Sequence, residues 1–136
     1  MFLVLLLASC APANTYCPPR ETNKILNALN RIDRKWTDAY NVAGKVEKDN
    51  LDVSIQGLIL LLQDVESIEE PECLEPAMNA FSIYMQKIIE GFTAIKTGKS
   101  EVAVERIFDS SDEYLDEFYG QVRTVRDCLP DCVKPE

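Results

Sequence analysis

The chain has 136 residues, an apolar fraction of 46%, a formal net charge of −9 at neutral pH and no histidine. That length corresponds to one domain, able to bury about two-thirds of its surface, and the acidic balance repels phosphate backbones, so no nucleic-acid partner is expected. Without imidazole, Ser-His-Asp and Cys-His catalysis, histidine zinc sites, Glu-x-x-His di-iron bundles and histidine-ligated haem are excluded. Carboxylate pairs or an activated lysine are the enzymatic options left, and the expectation is a chain that is not an enzyme and holds no metal or cofactor.

The chain opens on an apolar run that closes on small residues and a cysteine, Leu7-Ala8-Ser9-Cys10. This tetrapeptide resembles the lipobox of bacterial lipoproteins, in which a leucine and two small residues precede a cysteine. The resemblance implies that the Cys10 thiol takes a diacylglyceryl group and that residues 1–9 are removed as a signal segment. The new amino terminus is then acylated, and the mature chain is held in the cell envelope, on the extracytoplasmic side of a membrane. In a cell with an outer membrane, Ala11 resembles outer-membrane sorting, because the family's inner-membrane retention signal is an Asp there. A secretory signal ordinarily begins with basic residues and has an apolar region of about 7 to 15 residues. Here no Lys or Arg precedes Arg20 and the run is short, which we read as a start placed too late or a truncated sequence. The resemblance covers these residues alone. No run approaches the ~20 apolar residues that span a bilayer, so the lipid is the expected membrane attachment.

Residues 10–19 read as a tether carrying Cys17, with Pro12, Pro18 and Pro19 opposing helix. A first helix is predicted from Arg20 to Ala43, its stripe formed by Ile25, Leu29, Ile32, Trp36, Tyr40 and Ala43, with Gly44 as a C-terminal stop. A second runs from an Asn50 cap to Ile68 through Leu51, Ile55, Leu58, Leu62 and Val65. Its segment 58–62 is apolar all round, and burial on two sides is expected ahead of a docking patch. A third begins at Glu75-Pro76 and carries Leu74, Met78, Phe81, Met85, Ile88, Phe92 and Ile95 at strict four-three spacing, with Gly98 ending it. Ser100 caps a fourth that runs to Cys128 through Val104, Phe108, Ser111, Leu115, Phe118, Val122 and Val125, closed by Pro130.

Short links make consecutive helices antiparallel neighbours, so the expected fold is an all-α, up-down-up-down antiparallel four-helix bundle over residues 20–132, with a tail of 133–136. In that topology Cys17, Cys73, Cys128 and Cys132 share one end. With Cys10 assigned to the lipid, four thiols in an oxidising compartment read as two disulfides. Three pairings are open, and Cys73–Cys128 with Cys17–Cys132 is preferred. A four-thiolate zinc site ranks lower, since paired Cys-x-x-Cys knuckles are missing. The opposite end, 44–50 and 97–101, faces outward and suits partner contacts.

Asp109, Asp112, Glu113, Asp116 and Glu117 recur at helical spacing along the fourth helix. A solvated acidic face is the default reading, and a Ca²⁺ site is disfavoured because a continuous helix offers no free carbonyls. The same face suits a basic protein partner, with Tyr119 as an interface aromatic and Tyr114 as packing. Two function classes follow: an envelope interaction, accessory or inhibitory module, or a bundle that binds a small molecule or ion near Trp36, Tyr40, Met78 and Met85. A filled core favours the first; a pocket of several hundred Å³ with convergent polar groups favours the second. Trp36 at a stripe position reads as core before it reads as ligand contact.

Overall fold

A computed structural model of the chain describes residues 16–129. Among them every regular element is helical: α1 (Pro19–Ala43), α2 (Leu51–Glu66), α3 (Glu75–Lys96) and α4 (Glu101–Cys128), with 3₁₀ turns at Lys48–Asn50 and Glu72–Leu74 leading into α2 and α3. The four helices pack against one another around a single core. No described helix is long and apolar enough to cross a membrane. The lipobox with Cys10, Ala11 and Pro12, and the C-terminal Pro130, Cys132 and 133–136, lie outside the described residues.

Helix ends follow local chemistry, with two departures from expectation, at Pro18–Pro19 and at Asn50; Gly44 stops the first helix as expected. Pro18 and Pro19 open α1 instead of opposing it. Pro19 occupies the first helical position, where a missing N–H costs nothing, and the Thr22 amide donates to the Pro18 carbonyl at 2.9 Å. Gly44 ends α1 without left-handed geometry (φ −68), and the chain unwinds through Lys45 N–H to Val42 O (3.0 Å) and Val46 N–H to Ala43 O (3.4 Å). The Asn50 side chain caps nothing; a 3₁₀ turn, closed by its amide on Glu47 O at 2.8 Å, feeds α2 instead. The turn from α3 to α4 is as expected. Gly98 takes φ 76, the amides of Gly98 and Lys99 close on Ile95 O and Ala94 O in a Schellman arrangement, and Ser100 Oγ accepts from Ala103 N–H at 3.3 Å.

α3 is the hub. Its buried set, Ala77, Met78, Ala80, Phe81, Tyr84, Met85, Ile88, Gly91, Phe92 and Ala94, is wider than the single predicted stripe because three helices lie against it. On α4 it meets Phe118 through Phe81 (ring centroids 4.4 Å) and Phe108 through Phe92 (5.4 Å). On α1 it meets Trp36 through Tyr84 (6.1 Å) and Tyr40 through Phe92 (5.7 Å). On α2, Lys96 pairs with Asp52, and Gln86 Nε2 donates to Glu66 Oε1 at 3.3 Å. Gly91 lets α3 and α4 approach: a Cβ there would fall 2.6 Å from the Phe108 ring.

The apolar run of α2 is not buried on two sides as expected. Leu58 is fully buried, but Leu60, roughly 200° further round the helix, is 53% exposed, and Val53 is 82% exposed. Leu51, Leu58 and Val65 alone are buried, so α2 gives the core one stripe and leaves its back to solvent. On α1 the deeply buried set is Thr22, Leu26, Leu29, Trp36 and Ala43, while the predicted Ile25 and Ile32 are half-buried at its margin.

The cysteines correct the preferred pairing. Cys17 is bonded to Cys73 with Cα atoms 5.5 Å apart, which excludes Cys73–Cys128 and Cys17–Cys132 and withdraws two thiols from any four-thiolate zinc site. The cause is α3's central position: Cys73, in the turn that enters α3, lies beside the entrance to α1. Cys17 is 2% exposed and belongs to the core, so the last part of the expected tether is packed. Cys128 is also disulfide-bonded.

Candidate functional site

Three surfaces compete for function, and the simplest is the acidic side of α4. Ser111, Phe118, Val122 and Val125 turn into the core, which leaves Asp109, Asp112, Glu113, Asp116 and Glu117 all exposed. Among the described residues none of the five forms an ion pair, and no group of three or more Cys, Asp or Glu is placed to hold a metal. Helix carbonyls are committed to their own ladder, so the carboxylates lack the backbone oxygens a Ca²⁺ site draws on. They form a negative stripe in water whose field extends about 8 Å at physiological salt. Tyr114, at its edge, is half-buried against the core.

The interior expected to surround a ligand is filled by its own side chains. Trp36 is 1% exposed, and Met78 and Met85 are buried with it in the core. Tyr40 lies at the rim, its ring edge-on to Phe92. Trp36 and Tyr40, one turn apart on α1, therefore both pack against α3, through Tyr84 and Phe92.

Beside Trp36 lies a polar seam that the apolar pattern does not reveal. Tyr119 of α4 donates to Asp33 Oδ2 of α1 at 3.1 Å, and Arg126 Nη2 donates to Asn30 Oδ1 at 3.3 Å. Burial pushes the Tyr84 hydroxyl up from its ordinary value. The Trp36 indole opposes that rise, and Tyr40, Asp33 and Asp112 add to it. The indole N–H approaches the hydroxyl without reaching the geometry of a formed hydrogen bond, and it has no other partner. Tyr119 is pushed up to about 12, by burial first and then by the Asp33 carboxylate, which repels a phenolate and accepts the phenol's proton. Both hydroxyls stay neutral across the physiological range, so the seam supplies hydrogen bonds and no nucleophile. Its members are far apart in the chain (Asp33 and Tyr119 are 86 residues apart) and off the apolar stripes.

This raised value carries a testable sign. An unfolded tyrosine ionises near 10.0 while folded Tyr119 holds its proton to about 12. The unfolded state therefore binds fewer protons in that window. Stability should be level below pH 10 and fall as pH rises toward 12. Spectroscopic titration of phenolate absorbance is expected to show a late-titrating class, and Asp33→Asn should make Tyr119 titrate earlier within it while burial still holds it above the ordinary value. An unchanged late class in that variant would sever the link to Asp33.

Among the described residues, two of the surface depressions lie between pairs of helices. One, of about 500 Å³ between α2 and α3, is lined by Val65, Glu66, Glu75, Met78, Ser82 and Gln86 among others. The second, of about 660 Å³ between α3 and α4, is mostly apolar and walled by Thr93, Ala94, Thr97, Ala103, Ile107 and Ser110. Sequence reasoning missed both, because small side chains such as Ala94 and Ala103 leave no periodic signal. No family model matches the chain, and no curated protein or solved structure matches it.

Proposed function

We propose that the chain is a lipid-anchored, extracytoplasmic helical bundle, not an enzyme, that works in the cell envelope by holding a basic protein partner on its outer surface. The observation that carries this reading is the Cys17–Cys73 disulfide, a bond that persists in oxidising compartments. It follows Cys10 by a stretch that reaches about 25 Å at full extension, so a lipid on Cys10 would hold the cross-linked end close to the membrane. Partner binding on the surface is favoured over an interior ligand by the packing of Trp36, Met78 and Met85. The exposed carboxylates from Asp109 to Glu117 supply the charge that would draw a basic surface and speed its encounter.

In this reading the helices run up-down-up-down. Phe81 with Phe118 and Phe92 with Phe108 pair rising positions on α3 with falling positions on α4. Asp52 with Lys96 and Glu66 with Gln86 do the same for α2, whereas Trp36 with Tyr84 and Tyr40 with Phe92 rise together. Lys48, whose Nζ would stand 3.2 Å from a Cβ at Gly98, then marks the end turned away from the membrane.

Intact mass of the protein from its native membrane, before and after reduction and alkylation, tests the anchor. The expected result is loss of residues 1–9, an added lipid mass at Cys10, and thiols at Cys17 and Cys73 that alkylate only after reduction. An unprocessed N-terminus with free thiols overturns the reading. Zero-length coupling of carboxylates to partner lysines on intact cells should then capture a basic protein, and Asp112→Asn with Glu113→Gln and Asp116→Asn should reduce the yield.

A further inference from the structure

The α3–α4 groove has a chemistry unlike the rest of this acidic surface. Ala94 and Ala103 keep it open where larger side chains would close it, and its volume of about 660 Å³ lies in the range of small-molecule sites. Its hydroxyls are turned away: Thr93 donates to Ile89 O at 2.8 Å, Thr97 to Thr93 O at 3.0 Å and Ser110 to Ile107 O at 2.7 Å. Their methyl and methylene groups, with Ala94, Ala103 and Ile107, make an apolar wall. Two cations, Lys99 and Arg106, border it, and neither has an ion-pair partner among the described residues. Glu90, also at the rim, is engaged with Lys87 at 3.7 Å. Among the described residues lining the groove, the charged groups without an ion pair are therefore the two cations, on a chain of net charge −9.

We propose that this groove binds an anionic amphiphile, with an aliphatic body along the Ala94–Ala103–Ile107 wall and a carboxylate or similar head between Lys99 and Arg106. An apolar body gains by leaving water without meeting an unpaired polar group. The head meets two cations whose charge is not already neutralised. A neutral amphiphile forgoes the second contribution, and a cationic one is repelled. The site does not depend on the anchor at Cys10 and stands whether or not that residue is acylated.

The test is calorimetric titration of the purified full chain with dodecanoate below its micelle concentration, alongside dodecanol and dodecyltrimethylammonium. Saturable binding of dodecanoate, weaker binding of dodecanol and none of the cation are expected. Lys99→Gln with Arg106→Gln should weaken dodecanoate by about tenfold or more while leaving dodecanol unchanged. Ala103→Leu, which fills the groove from a half-buried helical position, should remove both, and thermal melting verifies that each variant is folded. Equal affinity for the three probes, indifference to both variants, or no saturable binding overturns the proposal. Self-association in sedimentation that Ala103→Leu abolishes, without amphiphile bound, would assign the groove to a second copy and overturn it as well.

Discussion

Replacing Cys17 and Cys73 together by alanine is expected to lower the free energy of unfolding by about 2 to 4 kcal/mol, read as an earlier midpoint in urea under non-reducing conditions. The bond joins residues 56 apart, and that loop contains all of α1 and α2. Cutting it returns the freedom of two whole helices to the unfolded chain. Both sulfurs are replaced together so that no lone thiol is left to react. Helix content should survive, because Leu26, Leu29, Leu58 and Phe81 still make the core. A midpoint that does not move would show that the cross-link contributes nothing to the folded state.

Phe81→Ala should cost about 3 to 5 kcal/mol. The ring is fully buried, stacked on Phe118 at 4.4 Å and on Tyr84 at 6.3 Å. Its loss opens a hole where α3 meets α4 and beside the tyrosine that borders Trp36. Helices pinned on several sides cannot close such a hole, so the cavity contribution adds to the lost transfer energy. Denaturation followed by fluorescence of Trp36, the only tryptophan, measures it. A loss below about 1 kcal/mol, the range of a volume-conserving swap, would mean that the core collapses around the site.

The helices were legible because apolar residues repeating by fours and threes over several turns line one side of a helix and would scatter over both faces of a strand. The predicted third and fourth helices coincide with α3 and α4 to within a residue or two. What escaped has a common cause. Ala77, Ala80, Gly91 and Ala94 form much of the second face of α3, and small residues do not announce burial. The run at 58–62 looked interior because composition does not reveal how many neighbours a helix has, and Leu60 met water. The disulfide pairing depended on which helix entrances adjoin at one end, which spacing along the chain does not encode. The candidate site divides the same way. The acidic stripe on α4 was readable from spacing alone, and the burial of Trp36 was anticipated. The Asp33–Tyr119 contact and the α3–α4 groove were not, since one joins distant polar residues and the other consists of space left by alanines.

The cross-link also determines how the molecule bears mechanical load. Tension arriving along the backbone from the N-terminal side reaches Cys17, and the disulfide passes it directly to Cys73. The covalent detour bypasses α1 and α2, which therefore cannot be unzipped by pulling on the two ends of the chain. From Cys73 the load enters α3, which Phe81 on Phe118, Phe92 on Phe108 and the close approach at Gly91 hold to α4.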